Sequence, residues 1–296
     1  GSYRLRDWLI ARQRYWGAPI PIINCEKCGE VAVPDADLPV VHPHVEDYVP
    51  KGTSPLATVE EFVNTKCPTC GGPGKREVDT MDTFVCSSWY FLRYPDAGNS
   101  EQAWRKDRSD KWMPVDMYIG GPEHACMHLL YARFIHKVMH DLGHVDAKEP
   151  FKRLVHQGMV TKDGAKMSKS KGNVVSPDEF VDKYGSDVFR MYLMFMGPFT
   201  DGGDWNDRGI TGVARFVDRF YRMMQEDGTG EGMDGVVHQT VARASDAVTS
   251  MTFNVAIASL MELTNAALKG GLNKSQKEIV CKVLAPLAPH LAEEVW

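Results

Sequence analysis

The run Lys166-Met167-Ser168-Lys169-Ser170-Lys171-Gly172-Asn173 sets three lysines, two hydroxyls and a glycine within eight residues. Lysine ammonium groups act as point charges on phosphate oxygens. Serine hydroxyls and free backbone N–H groups add hydrogen bonds to the same anions. A loop of this kind, closing on a phosphate in transfer, stabilises charge that is greatest in the transition state. By composition alone it equally suits a solvated basic loop. From Lys152 to Lys171 the cations Lys152, Arg153, Lys162, Lys166, Lys169 and Lys171 face only Asp163, the most basic stretch of the chain.

Two further constellations could bind or react. His124 and His128 stand four apart, a spacing that puts both on one face of a helix. The spacing could suit zinc, but no His-Glu-x-x-His order is present and no third ligand is evident. A partly buried helix with two hydrogen-bonded histidines accounts for the pair equally well. Cys25-x-x-Cys28 and Cys67-x-x-Cys70 each have a glycine just after the second cysteine, Gly29 and Gly71. Two such knuckles suit a closed, tetrahedral, structural zinc site with four thiolate ligands. Their separation exceeds the usual ribbon spacing, and the rival explanation is two redox pairs or cysteines that no longer bind metal. The other three of the seven cysteines, Cys86, Cys126 and Cys281, lie singly in apolar sequence.

These residues need elements to hold them. Residues 4–24 predict a short helix and then the strand-like Pro19-Ile20-Pro21-Ile22-Ile23. Residues 25–76 are rich in Pro, Gly and Cys, as in a metal-stapled insert. Met117-Tyr118-Ile119 predicts a strand, Gly120-Gly121 a tight turn, and Glu123 to Val138 a helix, the parts of an α/β crossover. Residues 159–211 predict a loop followed by a helix from Pro177 to Tyr184, with Ser176 at its N-cap. Beyond 212 the pattern is helical. Val213, Phe216, Val217, Phe220, Tyr221 and Met224 recur as one buried face, and Arg215, Arg219 and Arg222 share another. A helix from Asn254 to Lys269 is expected to stop at Gly270-Gly271.

The chain has 296 residues, 43% of them hydrophobic and 25% charged, with a net charge of −5. That suits about two globular domains and argues against a uniformly basic nucleic-acid module. No apolar run reaches the ~18 residues of a membrane helix. An odd cysteine count without a signal-type leader predicts a reducing, cytoplasmic setting.

The lysine-rich run matches the signature of class I aminoacyl-tRNA synthetases letter for letter from Lys166 to Ser170. Gly120-Gly121-Pro122-Glu123-His124-Ala125-Cys126-Met127-His128-Leu129-Leu130-Tyr131 is similar to the corresponding run of bacterial leucyl-tRNA synthetases. Met81-Asp82-Thr83-Phe84 with Ser87-Ser88-Trp89-Tyr90 resembles another segment of that family. So do Tyr3-Arg4-Leu5-Arg6-Asp7-Trp8, Arg12-Gln13-Arg14-Tyr15-Trp16-Gly17 and Phe253-Asn254. The resemblance implies ATP-dependent activation of leucine as an adenylate, then transfer to the 3′ end of tRNA(Leu). It implies Lys166 and Lys169 as catalytic lysines. Gly121, Glu123, Gln157, Gly158, Met159, Met167, Ser168 and Lys169 would meet ATP, with Met167 near the adenine. Ser87, Tyr90, His124 and His128 would meet leucine. Cys25, Cys28, Cys67 and Cys70 would hold Zn2+, and Mg2+ would accompany the ATP.

The implied fold is α/β: the second half of a Rossmann-like catalytic domain with a zinc-binding insert, followed by an all-α helical bundle. The implied divisions are re-entry into the catalytic domain over 1–24, the zinc insert over 25–76 and the second catalytic half over 77–158. The signature loop and connecting region follow over 159–211, and a truncated tRNA-binding bundle over 212–296. The family's His-Ile-Gly-His-type signature, its editing domain and a leucine-specific insert are not found in the sequence. The chain is therefore expected to be a monomeric piece of the enzyme, inactive alone. The alternatives are a non-catalytic zinc-stabilised RNA-binding module, or a synthetase for another branched amino acid.

Overall fold

The computed structural model describes residues 8–49 and 52–296. The chain divides into two units, one of residues 1–118 and 123–154, the other of 119–122 and 155–296.

In the first unit, strand β1 (Ala11–Arg12) is followed by the hairpin β2 (Ile22–Cys25) and β3 (Gly29–Ala32). After the short helix α1 (Glu60–Val63) come β4 (Asn64–Lys66), β5 (Pro73–Arg76) and β6 (Thr80–Met81). The four ribbon strands form one antiparallel sheet in the order β3-β2-β5-β4. The remaining pair is β1 with β6. Residues 4–24 were expected to begin with a short helix; no helix occurs in residues 8–24, and Arg12 is drawn into the β1–β6 pair. Tyr3 to Asp7 of the family-like run lie outside the described residues.

Helices α2 (Thr83–Ser87), α3 (Tyr90–Arg93) and α4 (Lys106–Trp112) follow. Asp82 caps α2 by accepting the Phe84 N–H at 2.9 Å, and it also binds the Arg12 guanidinium. Burial alone would raise this carboxyl, but Arg12 and the Phe84 N–H outweigh it and hold it below the usual range. Strand β7 (Tyr118–Gly120), helix α5 (His128–Asp141) and strand β8 (Leu154–His156) make a strand–helix–strand passage. Its bridge Val115–Phe151 is parallel, as a crossover requires. The core beneath α5 is Phe91, Leu92, Ala132 and Val145, with Trp89, Trp104, Met139 and Phe151 packed on it.

In the second unit, β9 (Val160–Lys162), β10 (Ala165–Lys166) and β11 (Gly203–Trp205) form a sheet in the order β10-β9-β11. Helices α6 (Pro177–Tyr184) and α7 (Ser186–Phe195) lie between β10 and β11 in sequence. After Ile210 the regular elements are helices: α8 (Ile210–Gln225), α9 (Asp234–Thr249), α10 (Phe253–Gly270), α11 (Lys274–Leu284) and α12 (Pro289–Val295). Helix α8 buries Val213, Phe216, Phe220, Met223 and Met224, while Tyr221 is exposed. Tyr221 was expected in the buried stripe; the drift of a 3.6-residue period hands its place to Met223. Helix α10 ends with Gly271 at φ +71°, and α11 begins with a capping box between Asn273 and Gln276. Among the described residues no helix is long and apolar enough to cross a membrane.

Candidate functional site

The expected helix from Glu123 onward is broken. Pro122–Cys126 form a 3-10 turn, Met127 takes φ −122° and ψ −105°, and α5 starts only at His128. The two histidines therefore do not share a helix face by periodicity. They meet because the turn folds back, with ring centroids 6.4 Å apart and planes nearly perpendicular. Cys126, expected among apolar residues, is exposed on this turn.

His128 is the centre of a half-buried chain of hydrogen bonds. Its Nδ1 lies 3.4 Å from the Ser87 hydroxyl, at the end of α2. Its Nε2 lies 2.7 Å from the Tyr118 hydroxyl, which is in turn 2.6 Å from the hydroxyl of Tyr90 on α3. The Tyr90 and His128 rings stack at 6.1 Å. Burial, with the neighbouring His124, holds the His128 imidazole below its usual pKa, so it stays neutral. Burial, with the Tyr90 hydroxyl, pushes the Tyr118 phenol up, so it stays an O–H donor. Nδ1 of His124 is buried without a hydrogen-bond partner. Ser87, Tyr90, His124 and His128 are thus brought together within one unit. Tyr118 joins them, although the sequence placed it only as a strand residue. Its sequence signal is its position at the end of a strand leading into Gly120-Gly121.

The residues expected to meet ATP fall in the second unit, except Glu123, which is exposed in the first. Strands β9 and β10 form a hairpin across Asp163 (φ 54°) and Gly164 (φ 70°), where a plain loop was expected. Asp204 of β11 ties down its tip, accepting from the Thr161 hydroxyl at 2.6 Å and the Gly164 N–H at 2.9 Å. The hairpin delivers Lys166 and Lys169, both exposed and both without an acidic partner within 4 Å among the described residues. Met167 is half-buried and packs on the unit's hydrophobic core. Gln157 and Met159 are exposed on either side of Gly158. Gly158 has a steric reason to be glycine: a Cβ there would sit 1.8 Å from the Gly202 nitrogen. Gly121 is buried before the 3-10 turn.

The two cysteine knuckles converge because β2 and β5 are neighbours in the sheet. The Sγ atoms of Cys25, Cys28, Cys67 and Cys70 all lie within 4.8 Å of one another. Cys25 and Cys70 are 3.7 Å apart, close to the ~3.8 Å edge of a tetrahedron with ~2.3 Å metal–sulfur bonds. A disulfide would need ~2.05 Å. N–H groups of Cys70 and Thr69 bring the Cys67 thiol down to about 7 despite its burial. The Cys70 thiol and burial push Cys28 up to about 12. Four thiols compete for one negative charge here, and a cation resolves that competition. The donor set fits a single metal ion of zinc type.

The chain carries a lysine-bearing hairpin in one unit and a half-buried histidine cluster in the other. The model for "tRNA synthetases class I (I, L, M and V)" matches residues 3–204, and the chain belongs to this family. Among curated relatives, the "Leucine--tRNA ligase" of Clostridium tetani is 52% identical, covering 100% of this chain and 39% of that protein. That of Clostridium kluyveri is 51% identical over the same shares. The chain thus spans about two fifths of the length of these relatives. A solved structure, the ternary complex of Agrobacterium radiobacter K84 agnB2 LeuRS with tRNA and LeuAMS, superposes with a TM-score of 0.89 at 39% identity. The match covers 100% of this chain and 41% of that one.

Proposed function

We propose that this chain carries the leucine-recognition and nucleotide-loop parts of a leucine–tRNA ligase. The observation that carries this reading is the half-buried Ser87–His128–Tyr118–Tyr90 chain beside His124. It gives a neutral, half-apolar pocket, suited to an uncharged branched side chain and hostile to a charged one. His128 and His124 would line the side-chain site, while Ser87 and Tyr90 hold His128 and Tyr118 in place. Lys166 and Lys169 would stand on the phosphates of ATP, with Gly121, Glu123, Gln157, Gly158, Met159, Met167 and Ser168 around the nucleotide. The leucine carboxylate attacks the α-phosphorus, the bond to the β-phosphate oxygen breaks, and pyrophosphate leaves with its Mg2+. The leucyl group then passes to tRNA(Leu), releasing AMP. The protein's part is positioning and charge stabilisation.

Cys25, Cys28, Cys67 and Cys70 would hold Zn2+ as a closed structural crosslink of the 25–76 insert. The helices from 212 onward would form an RNA-facing bundle, with Arg215, Arg219 and Arg222 of α8 meeting phosphate. A monomeric, cytoplasmic enzyme is the setting that fits. The non-catalytic alternative leaves the free lysines of the hairpin without a purpose.

The test is leucine-dependent ATP–pyrophosphate exchange, measured on the chain alone and on the chain extended to the length of its relatives. Exchange is expected only from the extended protein, and His128→Ala should raise the KM for leucine more than that for ATP. Faster exchange with valine or isoleucine than with leucine would overturn the substrate assignment.

A further inference from the structure

The lysine-rich loop is closed on itself by one side chain. The Asn173 amide oxygen accepts the Ser168 N–H at 2.9 Å, and its nitrogen donates to the Lys166 carbonyl at 3.3 Å. Those two backbone groups flank Met167, whose side chain packs on the core. Gly172, at φ 64°, turns the chain so that Asn173 comes back to the loop's start. Inside the ring, the Ser168 and Ser170 hydroxyls are 2.8 Å apart. The Lys171 N–H donates to the Ser168 carbonyl at 3.1 Å and the Gly172 N–H to the Lys169 carbonyl at 3.2 Å. Lys169 stands exposed on this ring, with no acid to neutralise it among the described residues.

We propose that Asn173 is the positioning residue of the loop: its amide pre-orders the Lys166–Lys171 backbone so that Lys169 meets a phosphate without first ordering the chain. The inference rests on the nucleotide-loop reading above. A primary amide suits the task because it accepts and donates at once. An aspartate at this place would keep only the acceptor, and an alanine neither. Asn173 bears no charge and acts through the lysines. Its value lies in conformational entropy already spent before binding.

The experiment uses the 296-residue chain, with Mg·ATP as probe, in three variants. Asn173→Ala should weaken ATP binding about five- to tenfold, the scale of two neutral hydrogen bonds, with the melting temperature unchanged. The ionic-strength dependence of binding should match that of the parent, because no phosphate contact is lost. Lys169→Ala should weaken binding and also flatten that dependence, because a charge is lost. Asn173→Asp should keep the Ser168 amide protected from hydrogen exchange yet bind ATP less well than the parent. ATP affinity unchanged in Asn173→Ala, while Lys169→Ala loses it, overturns the positioning role and leaves the loop reading standing. No ATP binding by the parent chain counts against the loop reading instead. The clamp is then decided by the Ser168 amide, which should exchange about tenfold faster in Asn173→Ala; an unchanged rate overturns it.

Discussion

Tyr118 links two residues of the pocket that come from different helices, Tyr90 of α3 and His128 of α5, through one hydroxyl. Removing that oxygen leaves the ring, which stacks on Phe151 at 3.9 Å, in place. Tyr118→Phe is therefore expected to fold, to lose about 1–2 kcal/mol of stability, and to bind leucine less tightly, because His128 loses the partner that fixes its tautomer. Thermal unfolding and leucine titration check both outcomes, and an unchanged leucine affinity would show the hydroxyl to be structural only. That Ser87, Tyr90, His124 and His128 serve one site was expected from a family pattern, and the structure brings the four side chains together. Tyr118 was not legible, since strand periodicity tells which faces a residue can occupy and not which phenol reaches a histidine. Cys126 shows the opposite case: its apolar neighbours in sequence suggested burial, and a 3-10 turn exposes it.

At the level of elements, the hairpin carrying the lysines was legible in principle. Asp163-Gly164 between Val160-Thr161 and Ala165 is a strong short-range hairpin signal, yet strands this short are masked by the basic loop that follows. The break at Met127 was not legible, since Glu123 to Val138 has good helical periodicity and nothing in it announces a residue at φ −122° and ψ −105°. The sheet that holds the hairpin depends on a close backbone approach. Gly158 donates its N–H to the Phe199 carbonyl at 2.8 Å, and β9 runs parallel to β11 immediately after it. A methyl group at Gly158 would overlap the backbone of Asp201 and Gly202, which cannot rotate away as a side chain could. Gly158→Ala should thus separate β9 from β11, cost at least the ~1–3 kcal/mol of an overpacked site, and release the hairpin. Faster hydrogen exchange at Thr161 and Gly164, with that of α9 and α10 unchanged, is the expected signature. A variant with native stability and native exchange in the hairpin would contradict this account.

For the whole molecule, the division into units separates what a metal can stabilise from what it cannot. The four thiols and the ribbon β2–β5 belong to the first unit, and every member of the large helical core, from Val188 to Ala292, belongs to the second. The ribbon and the segment between its strands bury few apolar side chains, chiefly Ile23, Val33, Leu56 and Phe62. A sheet of this size with so little core depends on crosslinks. The helical unit has Phe216, Phe220, Leu260, Leu263 and Leu284 fully buried and needs none. Binding free energy at a structural zinc site is folding free energy for the segment that makes the site. If one zinc per chain is bound, a chelator should therefore raise hydrogen exchange across 22–76 and leave α8–α11 protected. Lower pH should release the metal, because thiolates must be protonated to leave it, whereas Cys67→Ser should abolish stoichiometric zinc at any pH. Elemental analysis and exchange mapped by segment read both effects. Loss of protection in α8–α11 on chelation would mean that the helical core draws its stability from the ribbon, which the separation of the two cores argues against.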